Sequence, residues 1–278
     1  MLRIVFAALA WLAILAVSDG GAAEPASAKP AGSDRNTPRL GLNFTVSQPT
    51  MAMIWIAPGT FTMSSTFGTG DETVVTFTRG YWLGQTEVTQ GQWQDVIEAV
   101  PIPSFFKGSD HPVEQVSWAL VKEFCLKIGE RERAAGRLPE GYAYTLPTEA
   151  QWEYACRAGT TGIYAGELAA MAWYGANSGG KTHPVAQKQP NAWGFYDMHG
   201  NVFEWCADWY AAYPGGKVSD PAGAASGQFR VGRGGSWSDP AGRCRSALRS
   251  FGTMTQNFGW GFRLALAPLS NPPAADKP

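Results

Sequence analysis

The sequence predicts an α+β domain with low regular secondary structure, a few helices set among short twisted strands. Three observations predict it. Helical periodicity is confined to three stretches before residue 160. Strand-like runs are brief and lie on both sides of those helices. Much of the rest is Gly, Trp, Asn and Pro: 33 Gly and 12 Trp in 278 residues, with aromatics at 13% and charged residues at only 16%. Such a chain can build a large core, but largely through turns and irregular backbone.

Taken in order, Met53 to Met63 reads as two short strands around the Pro58-Gly59 turn, and Val74 to Phe77 and Tyr81 to Leu83 as further strands. Thr89 and Gln92 form a capping-box pattern. Trp93, Val96, Ile97 and Val100 then follow at i, i+3, i+4 and i+7, the apolar face of a first helix, which Pro101 and Pro103 end. A second helix follows Ser117, with Val121, Phe124, Cys125 and Ile128 inward. A third follows Thr148, capped with Gln151, and Gly159 supplies its terminating turn. Beyond it, Phe203 to Trp205, Phe229 to Gly232, Arg245 to Leu248 and Phe262 to Leu266 are expected strands.

The ends read differently. Residues 1–23 have one positive residue, Arg3, an apolar run from Ile4 to Val17 and small residues up to Ala23, the layout of a secretory signal peptide. The run is short of the roughly 20 residues a membrane span needs, so no stable span is expected after cleavage. Residues 24–48 and 269–278 are rich in Pro, Ala and charge and are expected to be a disordered linker and a flexible tail. Between them, 49–268 has the length of one large domain or two small ones. The expected location is periplasmic or secreted. Net charge is -1 with Lys and Arg scattered, so no basic patch for nucleic acid is expected. Export makes disulfides among Cys125, Cys156, Cys206 and Cys244 a candidate feature. Cys125 and Cys156, on core-facing stripes, read equally as buried small hydrophobes. No CxxC pair suggests zinc.

Several strings occur in fixed order: Tyr81-Trp82-Leu83-Gly84-Gln85-Thr86-Glu87-Val88-Thr89; His111-Pro112-Val113; Leu146-Pro147-Thr148-Glu149-Ala150-Gln151-Trp152-Glu153-Tyr154; Asn191-Ala192-Trp193-Gly194-Phe195-Tyr196-Asp197-Met198; Gly200-Asn201-Val202-Phe203-Glu204-Trp205; Arg233-Gly234-Gly235-Ser236-Trp237; and Gly261-Phe262-Arg263. Together these strings resemble the formylglycine-generating enzyme, or sulfatase-modifying factor, family over roughly Met51 to Leu266. The resemblance implies a C-type-lectin-like fold. It does not fix a reaction, because the family includes copper oxidases that make formylglycine, iron sulfoxide synthases, a periplasmic protein of pyoverdine maturation, and variable binding proteins.

In the copper enzymes two cysteines follow Gly-Gly-Ser as soft thiolate ligands. Here Asp239 falls at the first position and only Cys244 is present, so copper is not expected. Haem, flavin and nucleotide are not expected either. Cys244 reads as structural, with Cys206 or Cys156 as candidate partner. The three histidines His111, His183 and His199 read as turn and surface residues. What remains of the groove is Ser236, Asp239 and Arg249 as candidate catalytic residues and Trp237 and Arg263 as candidate substrate contacts. Ser236 would donate or accept, Asp239 act as base and Arg249 grip a carboxylate. The alternative is that both arginines bridge loops, and Glu87 and Glu149 read as structural. Asp197 and Glu204, seven residues apart, with the carbonyls of Gly200 and Val202, offer hard oxygen ligands for calcium, at positions matching a structural calcium site of the family. The expected function is an exported accessory maturation enzyme, oxidative in one version, acting on a periplasmic protein, peptide or siderophore-like substrate. The alternatives are a non-catalytic lectin-like binding module and a true formylglycine generator with unusual ligands.

Overall fold

The computed structural model describes residues 35–63, 72–97, 101–255 and 258–269. The expected signal peptide, the start of the linker, the end of the tail and Val100 lie outside them. Strands β1 (Phe44–Ser47), β2 (Thr50–Ile56), β3 (Gly59–Met63), β4 (Thr73–Phe77) and β5 (Tyr81–Gly84) lead into helices α1 (Gln90–Val96) and α2 (Trp118–Ala134). Then come β6 (Tyr142–Thr145), α3 (Glu149–Arg157) and α4 (Leu168–Met171). The second half carries β7 (Phe203–Trp209), β8 (Gly216–Ser219), β9 (Arg230–Arg233), β10 (Ser250–Gly252), β11 (Trp260–Gly261) and β12 (Ala265–Pro268).

A five-stranded sheet has the order β1-β2-β5-β12-β6, a four-stranded sheet the order β10-β9-β7-β11, and a three-stranded sheet the order β3-β4-β8. Alternation along the five-stranded sheet divides the core, because successive strand residues face opposite sides. Met51, Met53, Trp82 and Leu266 enter one cluster with Trp93, Val121, Phe124 and Ile128 from α1 and α2. Ile54, Ile56, Tyr81, Leu83, Ala265 and Ala267 enter a second with Ala150, Trp152 and Cys156 from α3. The sheet is therefore buried on both faces, which explains the four fully buried tryptophans 82, 93, 152 and 205.

The helix starts are those the caps dictate. Thr89 with Gln92 and Thr148 with Gln151 form reciprocal capping boxes, and the Ser117 side chain accepts from the Leu120 amide. At the end of α3 the left-handed turn begins at Ala158 (φ 45) and continues through Gly159 (φ 86). Two expectations need correction. The boundary between linker and domain at 48/49 falls inside a hairpin, since Phe44–Ser47 pairs with β2 and buries Phe44 and Val46. Arg245 to Leu248 is a turn: burial alternates there, with Cys244, Ser246 and Leu248 inside, but the Leu248 amide donates back to the Arg245 carbonyl, and the strand begins at Ser250.

Candidate functional site

Strand β9 delivers the chain into Gly234 (φ 96) and Gly235 (φ 77), a backbone conformation that suits glycine. A Cβ on Gly235 would stand 2.7 Å from Cys244 Sγ, so the turn must pass close over that thiol. The next residue, Ser236, donates its hydroxyl to Asp239 Oδ2 and lies 3.1 Å from the Ser238 hydroxyl. Asp239 Oδ1 pairs with Arg243 Nε at 2.8 Å. The Trp237 backbone is pinned at both ends: its amide donates to the Asn201 carbonyl at 2.8 Å and its carbonyl accepts the Ser178 hydroxyl at 2.7 Å. Its ring meets Phe106 and Phe258 at 5.2 and 5.8 Å, and Phe105 joins both phenylalanines at 5.0 and 5.8 Å. Phe105 and Phe258 are 63% and 56% exposed. Ser236, Trp237 and Asp239 thus come together as expected, beside an aromatic surface that the sequence reading missed. The adjacent pair Phe105-Phe106 between Ser104 and Lys107 was the available signal.

The two arginines do not join that group. Arg249 forms a bidentate pair with Glu149 at 2.7 and 2.8 Å, and donates to the Ala211 carbonyl. Glu149 also accepts the Tyr213 hydroxyl and lies 3.6 Å from Arg233, which pairs with Glu153. Arg263 has no exposed surface. Its guanidinium grips Glu204 with two bonds of 2.7 Å and donates to the carbonyls of Gly84, Gln85 and Tyr196. With every direction of its fork engaged, it cannot contact a substrate; it bridges loops, as the alternative reading had it. Glu149 is held in the ion-pair network with Arg249 and Arg233, and Glu87 lies in the acidic cluster beside Arg263.

Arg263 also organises a buried acidic cluster. Glu87 accepts from the Val202 amide and the Asn201 side chain. Burial, and then the carboxylates of Asp197 and Glu204, push Glu87 well above the usual carboxylate range. Burial pushes Asp197 up to about 6, against the opposing pull of the Ala186 amide and Arg263. Three carboxylates therefore share one guanidinium. Asp197 Oδ1 is buried and accepts no hydrogen bond. Glu204 Oε2 takes both Arg263 and Trp152, while Oε1 takes one bond and keeps a lone pair. This donor set fits a hard cation at the Asp197 end, with Glu204 as a shared ligand.

The cysteines are four buried free thiols, which corrects the candidate disulfides. Cys125, Cys156 with Cys206, and Cys244 occupy three separate apolar clusters. Burial pushes the thiols of Cys125, Cys156 and Cys244 up to about 12, and that of Cys206 well above its ordinary value. His199 is lowered to about 4, chiefly by burial; its Nδ1 lies 2.7 Å from the Cys244 carbonyl and its Nε2 accepts the Ala165 amide. His183 stacks on Trp173 at 3.8 Å. Among the described residues no three His, Cys, Asp or Glu side chains converge as metal ligands, and no helix is long and apolar enough to cross a membrane.

Residues 41–268 match the model of the sulfatase-modifying factor enzyme 1-like domain. The chain is 33% identical to the formylglycine-generating enzyme of Mus musculus, covering 63% of this chain and 49% of that one, so it spans about half the length of that relative. Among solved structures, the Treponema denticola variable protein 1 superposes with a TM-score of 0.73 at 32% identity, covering 82% of this chain and 99% of that one. The structure of PvdO from Pseudomonas aeruginosa superposes at 0.72 and 26% identity, covering 84% and 100%. The fold is that of these relatives, and with a family model spanning most of its length the chain belongs to the sulfatase-modifying factor family.

Proposed function

We propose that this protein is an exported accessory maturation factor that holds a peptide segment of a periplasmic substrate on the Trp237 surface, beside the Ser236–Asp239 pair. The observation that carries the reading is the four-ring cluster of Trp237, Phe106, Phe105 and Phe258. Two of its rings stand in solvent next to a serine whose hydroxyl already donates to a carboxylate. Exposed aromatics offer contact area at low entropic cost, and a carboxylate that accepts a hydroxyl proton is placed as a general base. Copper-dependent formylglycine formation is disfavoured by chemistry rather than by occupancy. The loop holds one cysteine, Cys244, where the dithiolate copper site of the family needs two. The structural likeness to PvdO and to the variable protein, whose chains are covered to 100% and 99%, supports a role exercised by this one domain.

A displayed peptide library selected on the intact protein tests this. Enrichment is expected for sequences with an aromatic or aliphatic anchor, and loss of at least tenfold in retention on Trp237→Ser, the usual scale for removing an interface aromatic anchor. Equal retention on both proteins would move the binding surface elsewhere. Asp239→Ala is expected to keep the fold and the binding but to lose any turnover. A cysteine peptide of the sulfatase type, incubated with the protein and copper(I) in air, is expected to stay unconverted; formation of the aldehyde would reverse the reading.

Calcium belongs to the same proposal. The orphaned Asp197 Oδ1, the carbonyls of Gly200 and Val202 and the remaining lone pair of Glu204 Oε1 make the ligand set. The ion would be structural, tying the 197–204 turn to the Trp237 loop through Asn201, whose carbonyl receives the Trp237 amide.

A further inference from the structure

A cavity lies apart from the Ser236 loop. It encloses about 410 Å³ and is lined chiefly by apolar groups, among them Met63, Val75, Ala150 and Val218, with Tyr213 at one side. That volume is within the range of small-molecule sites, roughly 300–1,000 Å³. None of Ser236, Trp237 and Asp239 contributes to it. Thr73 and Ser219 add hydroxyls to the wall, and its charged groups are the Glu149–Arg249 pair and Asp208.

The two are not equivalent. Glu149 and Arg249 satisfy each other, and the Arg249 fork is further drawn to the Ala211 carbonyl, so the pair presents little to a ligand. Asp208 is only 6% exposed. Its Oδ2 accepts the Glu149 amide at the start of α3, at 2.7 Å, and no hydrogen bond from the described residues reaches Oδ1. The loop of residues 221–224 runs directly over that oxygen. Gly223 has φ 74, and a Cβ there would come within 2.6 Å of Asp208 Oδ1. Any other residue would close the space beside the carboxylate. The residue is largely buried, yet this oxygen keeps some accessible surface, so a bound group can reach it; a carboxylate oxygen so placed without a protein donor is best served by a group that brings both a donor and a positive charge.

We propose that this cavity is a binding site for a small primary amine with an apolar body, its ammonium donating to Asp208 Oδ1 and its hydrocarbon lying along Met63, Val75 and Val218. Anionic ligands are disfavoured because the arginine at the wall is already paired. The ligand needs no part of the Trp237 surface, so the site stands or falls independently of the peptide-binding reading.

Proton linkage adds a second signature. The charged and titratable groups facing Asp208 are Glu149 on α3, Arg230 and Arg233 on β9, Arg249 before β10, and Cys206 on its own strand. Burial first, then Glu149, raise Asp208 to about 7. The ammonium selects the ionised carboxylate, so affinity should rise with pH through this region and level off above it, falling up to tenfold per unit on the acid side.

The experiment is calorimetric titration of the intact protein with n-hexylamine, 1-hexanol and hexanoate between pH 5.5 and 8.5. The amine is expected to bind at least tenfold more tightly than the alcohol at pH 8, in keeping with a charge-assisted hydrogen bond, and hexanoate not to bind. Asp208→Asn should remove the preference for the amine. Ala212→Trp, at an exposed position on the rim, should block the amine and the alcohol alike while leaving the carboxylate intact. Equal affinity for amine and alcohol, an amine preference that survives Asp208→Asn, or tighter amine binding at low pH would each overturn the proposal. If Asp208→Asn does not fold, the pH profile and Ala212→Trp decide it alone.

Discussion

Replacing Arg263 with Met should destabilise the protein by about 3–5 kcal/mol, the usual cost of removing one partner of a buried ion pair. The reason lies in what is left behind. Glu204 keeps only the Trp152 indole as a donor, and Glu87, Asp197 and Glu204 remain together with no guanidinium among them. Three carbonyls, at Gly84, Gln85 and Tyr196, lose their donor as well. For a domain of this size the melting temperature should fall by roughly 2–4 °C for each kcal/mol, giving a large shift in a thermal or urea melt. Adding Glu204→Gln to the same variant should recover part of the loss, since the amide oxygen still accepts the Trp152 N–H and one buried charge is gone. Arg249→Met should cost less, because Arg249 is part-exposed and Glu149 retains Tyr213 and Arg233. A loss below about 1 kcal/mol for Arg263→Met would mean that the acidic cluster is protonated or solvated and does not depend on the arginine.

This contrast shows how far the sequence could be read. The caps at Thr89, Ser117 and Thr148 were legible because a cap is made by residues three apart, and the helices begin where those patterns place them. The strands of the five-stranded sheet were legible as short apolar runs, apart from β6, which the sequence reading did not place, and β1, whose Phe44-Thr45-Val46 pattern is concealed in a Pro- and Ser-rich setting. Arg245 to Leu248 was misread for the converse reason. It has the burial rhythm of a strand without a neighbouring strand to pair with, and rhythm reports burial rather than hydrogen bonding. The site followed the same division. Ser236, Trp237 and Asp239 are close in sequence and close in space. Arg249 and Arg263 also follow shortly in sequence, but their partners, Glu149 and Glu204, are 100 and 59 residues away. No local pattern announces such a pair, so a free arginine and a buried one look alike in the sequence. Asp208 was missed because its isolation comes from Gly223 and from sheet pairing across the second half of the chain.

Calcium should be the second large lever on stability. If it occupies the Asp197 end of the acidic cluster, removing it with a chelator should cost about 2.7 kcal/mol relative to calcium at a hundred times its dissociation constant. That converts to a fall of roughly 5–10 °C in melting temperature. Magnesium should substitute poorly, because a rigid octahedral ion with short bonds is ill served by two backbone carbonyls and a carboxylate shared with Arg263. Asp197→Ala should abolish the response to calcium. It should also be less damaging in chelator than Arg263→Met, since it removes a buried charge together with its unsatisfied oxygen instead of leaving them. The effect should reach the Trp237 surface, because Asn201 lies within the turn that the ion would hold and receives the Trp237 amide. Peptide retention should therefore fall in chelator together with stability. An unchanged melt between millimolar calcium and excess chelator would show that Asp197 Oδ1 is met by a proton or by water instead. The ion pair of Arg263 with Glu204 would then be the one charged tie on this cluster among the described residues, and the penalty for Arg263→Met should lie at the upper end of its range.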